Sequence, residues 1–162
     1  MDDYIVPDRL CAPRPRSFVA LMALYESNWD RLHALVPALS RLRGPQVSRV
    51  HEDCDVHLEV LERTRYTTTL RLTYLFDCGD ARGEVRDPDV VVRVYHDARQ
   101  VEAMNCARVH RHEVLRRLAA AHVELDHRWS RNVLLNKWLE YLLDCGHLFA
   151  GLHSQGGTGT AG

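Results

Sequence analysis

Three groups of side chains in this sequence are of types that do chemistry. The first is Arg63, Arg65, Tyr66 and Thr67, within the short run Glu62–Thr67 that joins two expected strands. In a hairpin loop, guanidinium and hydroxyl groups can converge on an anion such as phosphate. The same residues also suit a solvated turn, in which the Thr and Arg groups satisfy local backbone and a neighbouring carboxylate. The second group is Glu62 with His96 and its neighbour Asp97. If Val56, Leu58 and Val60 face the core, alternation puts Glu62 on that face, and Val92 and Val94 do the same for His96. A carboxylate and an imidazole at one sheet margin can work as acid and base, or can be a hydrogen-bonded edge of the core. A bulge in either strand would reverse that parity. The third group is the opposite face, with His57, Glu59, Thr69, Arg71, Thr73, Arg93 and Tyr95. Arginine planes and an aromatic could form a platform for a nucleotide or a single strand. The face lacks the cluster of exposed aromatics that RNA-binding sheets use, and a mixed-charge solvent face is the favoured reading.

The expected ligand-binding set is therefore Arg63, Arg65, Tyr66, Thr67, Arg93, Tyr95, His96 and Asp97, with no catalytic residue assigned. His110 and His112, with His122 and His127 beyond, resemble metal ligands, yet no carboxylate or cysteine completes a recognised motif, so neither metal nor other cofactor is expected. Gly79 and Gly83 lack the Lys-Ser/Thr that follows a phosphate-binding loop, and Gly-x-Ser-x-Gly is absent, which disfavours an ordinary hydrolase, kinase or dehydrogenase. The five cysteines (Cys11, Cys54, Cys78, Cys106, Cys145) are scattered without a Cys-x-x-Cys, as reduced thiols would be.

Those side chains need elements to hold them. The 162 residues are 46% hydrophobic and 27% charged, enough for one domain with one core. A net charge of -1 gives no global field to collect nucleic acid or an anionic membrane. Charged residues interrupt every apolar run before bilayer length, and Met1-Asp2-Asp3-Tyr4 does not read as a secretory leader, so the expectation is a cytoplasmic protein. Residues 1–16, with Pro7, Pro13 and Pro15, read as a flexible arm. Ser17 is a plausible N-cap for a helix whose stripe is Phe18, Leu21, Met22, Tyr25, Trp29, Leu32 and Val36, stopped by Pro37. Val56–Val60 and Thr68–Phe76 alternate as two strands of a hairpin. A polar stretch, Asp77–Asp89, leads to a third strand at Val90–Tyr95. His96–Arg99 reads as a turn, Gln100–Ala107 as a return strand, and residues 46–51 as a short first strand. Helical spacing is weak over Glu113–Val123 and strong over Trp129–Cys145, with Gly146 as C-cap. Asn28 and Asn132 interrupt the two strong helices beside their apolar stripes. Ser154–Gly162 reads as a disordered Gly-rich tail. The expectation is a single α+β domain over 17–153, with a four- or five-stranded antiparallel sheet and an N-terminal helix and one or two C-terminal helices on one face.

Four stretches carry a resemblance: Leu21–Trp29 with Leu32, Leu35 and Pro37; Glu62-Arg63-Thr64-Arg65-Tyr66-Thr67-Thr68; Val92–Ala98; and Asn132, Leu135, Trp138, Leu139, Tyr141, Leu142 and Gly146. In order and content they resemble the YqiB-like family of proteobacterial proteins, a domain of unknown function. Where that family carries a Tyr-Pro-Asn turn ahead of an acidic and basic run, this chain reads Leu118–Arg128, in which Asp126 and Arg128 keep the polar character. The resemblance implies the fold and supplies no activity, cofactor or catalytic residue. Three functions stay open: a binding or regulatory module for a nucleotide or other anionic small molecule, a small enzyme acting on a phosphorylated or nucleotide substrate, and a structural partner in a protein complex or homodimer. Nucleic acid and membrane are not expected partners.

Overall fold

A computed structural model of the chain describes residues 17–77, 83–106 and 127–150. The expected arm at 1–16, the segment Glu113–Val123, the departing stretch up to Asp126, the tail from 154, and His110, His112 and His122 lie outside the described residues.

Helix α1 (Phe18–Leu35) begins where the Ser17 hydroxyl accepts the Ala20 amide at 3.1 Å, and Val36 closes it by donating to the Leu32 carbonyl. Its buried stripe is Ala20, Tyr25, Asn28, Leu32 and Leu35; Phe18, expected in the stripe, is 75% exposed, one turn ahead of Met22, whose sulfur accepts from the Gln100 side chain at 3.5 Å. A 3₁₀ turn (Leu39–Arg41) leads to the sheet: β1 (Gln46–Ser48), β2 (Asp55–Arg63), β3 (Thr67–Asp77), β4 (Glu84–Tyr95) and β5 (Gln100–Cys106). The five strands are antiparallel in chain order, a meander. Helix α2 (His127–Asp144) completes the described chain, so the architecture is α+β with one described C-terminal helix.

The sheet has three register shifts; one lies where β5 meets Val91 and Val92 of β4, and the other two change where the expected site residues face. The ladder between β2 and β3 shifts between Val60 and Glu62, so Leu61 is the extra residue of a bulge, and Glu62 pairs with Thr69 instead of lying on the core side. Between β3 and β4 the register jumps from Thr73↔Asp89 to Leu75↔Arg86, so Asp87 and Pro88 together face Tyr74. A proline fits a central strand at such a place because it donates no ladder hydrogen bond. The stretch Asp77–Asp89, expected as a connection, thus belongs largely to β3 and β4, its period hidden by Pro88 and the two-residue shift.

One face of the sheet, through Val56, Leu58, Leu70, Leu72, Tyr74, Val90, Val92, Val94, Val101 and Ala103, forms a single core with Leu32 and Leu35 of α1 and Leu135, Trp138, Leu139 and Leu142 of α2. Both helices therefore cover the same face. Burying that much apolar surface is the main stabilising term. The helices also seal the edge strand. Asn28 Nδ2 donates to the Val101 carbonyl at 3.3 Å, and Asn132 Oδ1 accepts the Ala103 amide at 2.8 Å. These bonds occupy backbone groups of β5 that would otherwise invite another strand. They also explain two poor helix formers at buried helical positions. Helix α2 ends in a Schellman turn, with Gly146 at φ +91°, His147 N donating to Leu142 O and Gly146 N to Leu143 O. No helix among the described residues is long and apolar enough to cross a membrane.

Candidate functional site

The hairpin loop between β2 and β3 and the turn between β4 and β5 lie at the same end of the sheet and are joined: the His96 amide donates to the Tyr66 carbonyl at 3.0 Å. The loop is closed internally, with Thr64 N bonded to Thr67 O at 2.8 Å and the two threonine hydroxyls 2.8 Å apart. This rigid stitch holds Arg65, Tyr66, Thr67, His96 and Asp97 together. Arg65 and Tyr66 are exposed, the guanidinium carbon 5.2 Å from the ring centroid in a cation–π contact.

The bulge at Leu61 turns Arg63 to the core side of the sheet, beside Thr68, and its guanidinium donates to the carbonyls of Leu39, Ser40 and Leu42 at 3.0 to 3.3 Å. Arg63, expected to bind a ligand, is instead engaged in capping the 3₁₀ turn. Glu62 is exposed on the other face, so the pairing with His96 that simple alternation suggests does not occur. His96 does reach the core margin, where its Nε2 lies 2.8 Å from Thr68 Oγ1 and its ring meets Trp29 edge-on at 6.2 Å. Burial, then the nearby His33 and Arg63, hold the His96 pKa below the usual histidine value, with Asp97 opposing.

Around the corner, register sets Arg93 between Thr69 and Glu102 on the face away from the core. Glu102 is engaged elsewhere: Tyr25 and Tyr95 each donate a hydroxyl to it at 3.2 Å, and Arg128 lies 3.9 Å away. Burial and that carboxylate push the Tyr25 hydroxyl up to about 12. Among the described residues, Arg93 and Arg65 form no ion pair, whereas Arg31, Arg49, Arg71 and Arg128 each have a carboxylate partner.

A model of the family "Protein of unknown function (DUF1249)" matches residues 31–148, a span that takes in the whole sheet and α2. The chain belongs to that family. It is 30% identical over 129 residues to the uncharacterized protein YqiB of Escherichia coli K12, covering 78% of this chain and 88% of the relative, and equally to YqiB of the O6:H1 and O157:H7 strains. No solved structure matches it. Family membership agrees with the resemblance carried by the four stretches, and names no reaction.

The matched span also contains a constellation that sequence reasoning missed. His147 Nε2 lies 2.8 Å from Asp53 Oδ2, and its Nδ1 lies 2.9 Å from Ser48 Oγ. Tyr74 donates a second hydrogen bond to Asp53 at 2.8 Å. The order Ser–His–Asp is that of an acyl-transfer triad. Here the His147 and Asp53 side chains are 0% and 4% exposed, Ser48 is buried, and Ser48 Oγ already accepts the Leu148 amide. The segment that covers the hydroxyl is the one that carries the histidine. Opening it to admit a substrate would dismantle the triad, so this hydrogen-bond network is a structural clasp, reinforced by Phe149 N donating to Leu35 O. No local pattern could find it, because its members lie 94 and 99 residues apart.

Among the described residues no group of three or more histidine, cysteine or acidic side chains could hold a metal ion; His127 opens α2, but its side chain lies outside the described part.

Proposed function

We propose that this chain is a non-catalytic binding or regulatory module, acting in the cytoplasm, that recognises a nucleotide or another anionic small ligand at the hairpin end of its sheet. One observation carries the reading. A hydrogen-bonded stitch fixes the loop bearing Arg65 and Tyr66 against the turn bearing His96 and Asp97, while Arg65 and Arg93 remain without an ion pair among the described residues. Guanidinium groups not already neutralised are the ones that gain most from an incoming phosphate or carboxylate. Tyr66, 54% exposed, and Tyr95 beside Arg93 offer ring faces for a planar group. The alternative of a small enzyme using Glu62, His96 or Asp97 has less behind it, since Glu62 and His96 lie on opposite faces and His96 Nε2 is held by Thr68.

The test is a thermal-shift screen of the purified protein against nucleotides, cyclic nucleotides and sugar phosphates, with Arg65→Ala and Arg93→Ala in parallel. A ligand at a hundred times its dissociation constant stabilises by ~2.7 kcal/mol, roughly 5–10 °C for a domain of this size. The expected result is a shift of that order with at least one compound, lost in both variants. A flat screen, or a shift that both variants retain, would sink the reading.

A further inference from the structure

The sheet face away from the helices carries a groove of about 220 Å³ across β2, β3 and β4, lined among others by His57, Glu59, Arg71, Thr73, Leu75 and Arg86. Its lining includes neither Arg65 nor Arg93: Arg93, the nearer, lies opposite Thr69, two residues from Arg71 along β3 or roughly 7 Å at the usual strand rise. Its floor is braced. Asp89 Oδ1 accepts the Thr73 hydroxyl at 3.0 Å and lies 3.2 Å from Arg71 Nε, so one carboxylate holds both groups in place. Arg71 pairs with Asp89 and not with Glu59, its direct cross-strand neighbour, and Glu59 has no ion pair among the described residues. Arg86, opposite Leu75 at the other end of the groove, likewise forms no ion pair among the described residues, and Asp55 across Leu75 is paired with Arg49.

The groove thus presents one unneutralised carboxylate and one unneutralised guanidinium, at opposite ends of a short trough with His57 and Thr73 between them. A simple anion would meet Glu59 and be repelled, and a simple cation would meet Arg86. A ligand with a cation at one end and an anion at the other satisfies both. At 220 Å³ the groove falls below the size of drug-like pockets, which selects a compact molecule. We propose that it is a second site, for a small zwitterion of dipeptide size, with the ligand's ammonium on Glu59 and its carboxylate on Arg86. Glu59 and Arg86 are both exposed, so neither substitution below removes a core contact.

The experiment is a titration of the ¹⁵N-labelled full chain with alanyl-alanine, followed by amide shifts, with N-acetyl-alanyl-alanine and alanyl-alanine amide as blocked probes. The expected result is saturable shifts at residues 57–59, 71–73 and 86, at least tenfold weaker binding of each blocked probe, and the same response in Arg65→Ala. In Glu59→Gln the penalty for acetylation should disappear, and in Arg86→Gln the penalty for amidation. Absence of groove shifts at millimolar dipeptide, equal binding of the blocked probes, or variants that leave both penalties intact would overturn the assignment. So would inorganic phosphate producing the same shifts with equal affinity. Because Arg65→Ala reports on the hairpin end alone, failure of the groove and failure of that site are read separately.

Discussion

The buried clasp and the hairpin end of the sheet are both constellations of polar side chains, and they differ in what is left over. In the clasp, Asp53, His147, Ser48 and Tyr74 spend their hydrogen bonds on one another and on the Leu148 amide, out of reach of solvent. At the hairpin end, Arg65 and Arg93 have no carboxylate partner among the described residues and Tyr66 lies open. The clasp looks more like chemistry and can do less of it. A fully satisfied buried network fixes structure, whereas function needs groups whose interactions are still to be made. The hairpin end contains the same contrast in miniature, since Arg63 is engaged with three backbone carbonyls and Arg65, two residues on, with none.

Breaking the clasp should have the largest effect on stability. His147→Ala removes the partner of both Ser48 and Asp53 and leaves a void at the end of α2, which should cost roughly 3 kcal/mol in a denaturant titration. Ser48→Ala removes a single hydroxyl and should cost about 1 kcal/mol. A fluorophosphonate probe should leave Ser48 unlabelled in the folded protein. Stoichiometric labelling, or a His147→Ala variant as stable as the parent, would mean that the clasp is neither buried nor structural in the way described.

The two arginines of the hairpin sharpen the comparison at a smaller scale. Arg63→Ala should lower stability by about 1 kcal/mol, because the carbonyls of Leu39, Ser40 and Leu42 lose a charged donor. Arg65→Ala should stay within ~0.5 kcal/mol of the parent, because its one described contact, the cation–π contact with Tyr66, is exposed to solvent. Equal losses in paired denaturant curves would show that Arg65 is held by the fold as firmly as Arg63, and would remove it from any binding role.

Period and capping made much of the architecture legible. The cap at Ser17, the Gly146 stop, the hairpins and the antiparallel order follow from signals within a few residues of each other. Asn28 and Asn132 also stood out, as poor helix formers beside apolar stripes, although only the packed structure shows that they seal β5. The bulge at Leu61 had a trace in the sequence, since Val60 and Leu61 break the alternation of β2, but nothing local says which residue is extra. That ambiguity misplaced both Glu62 and Arg63. The start of β4 was hidden because Pro88 and the two-residue shift interrupt its period, and Arg86 of the groove went unseen with it. The clasp was beyond sequence reasoning for a different reason. Its only local sign is a histidine directly after the helix-ending glycine, where a Schellman turn commonly places an apolar residue.

The smallest expected effect concerns His96, which belongs to both kinds of region: its Nε2 is engaged with Thr68, while Asp97 beside it is exposed. Burial, His33 and Arg63 lower its pKa in the folded state below the unfolded value near 6.5. Between the two values the unfolded chain binds the proton and the folded chain does not, so acid favours unfolding. The stability this group confers is fully present above about pH 6.5 and is lost as the pH falls toward its folded value. The quantity to measure is a difference: stability of the parent minus that of His96→Gln, between pH 7.5 and pH 5. Glutamine can still bond the Thr68 hydroxyl but carries no titratable proton, so the difference should fall as acid is added. A flat difference would show that burial, His33 and Arg63 together do not lower the His96 pKa. A rising one would mean that Asp97 outweighs them, and His96 would then be a cation available to an anionic ligand at the hairpin end.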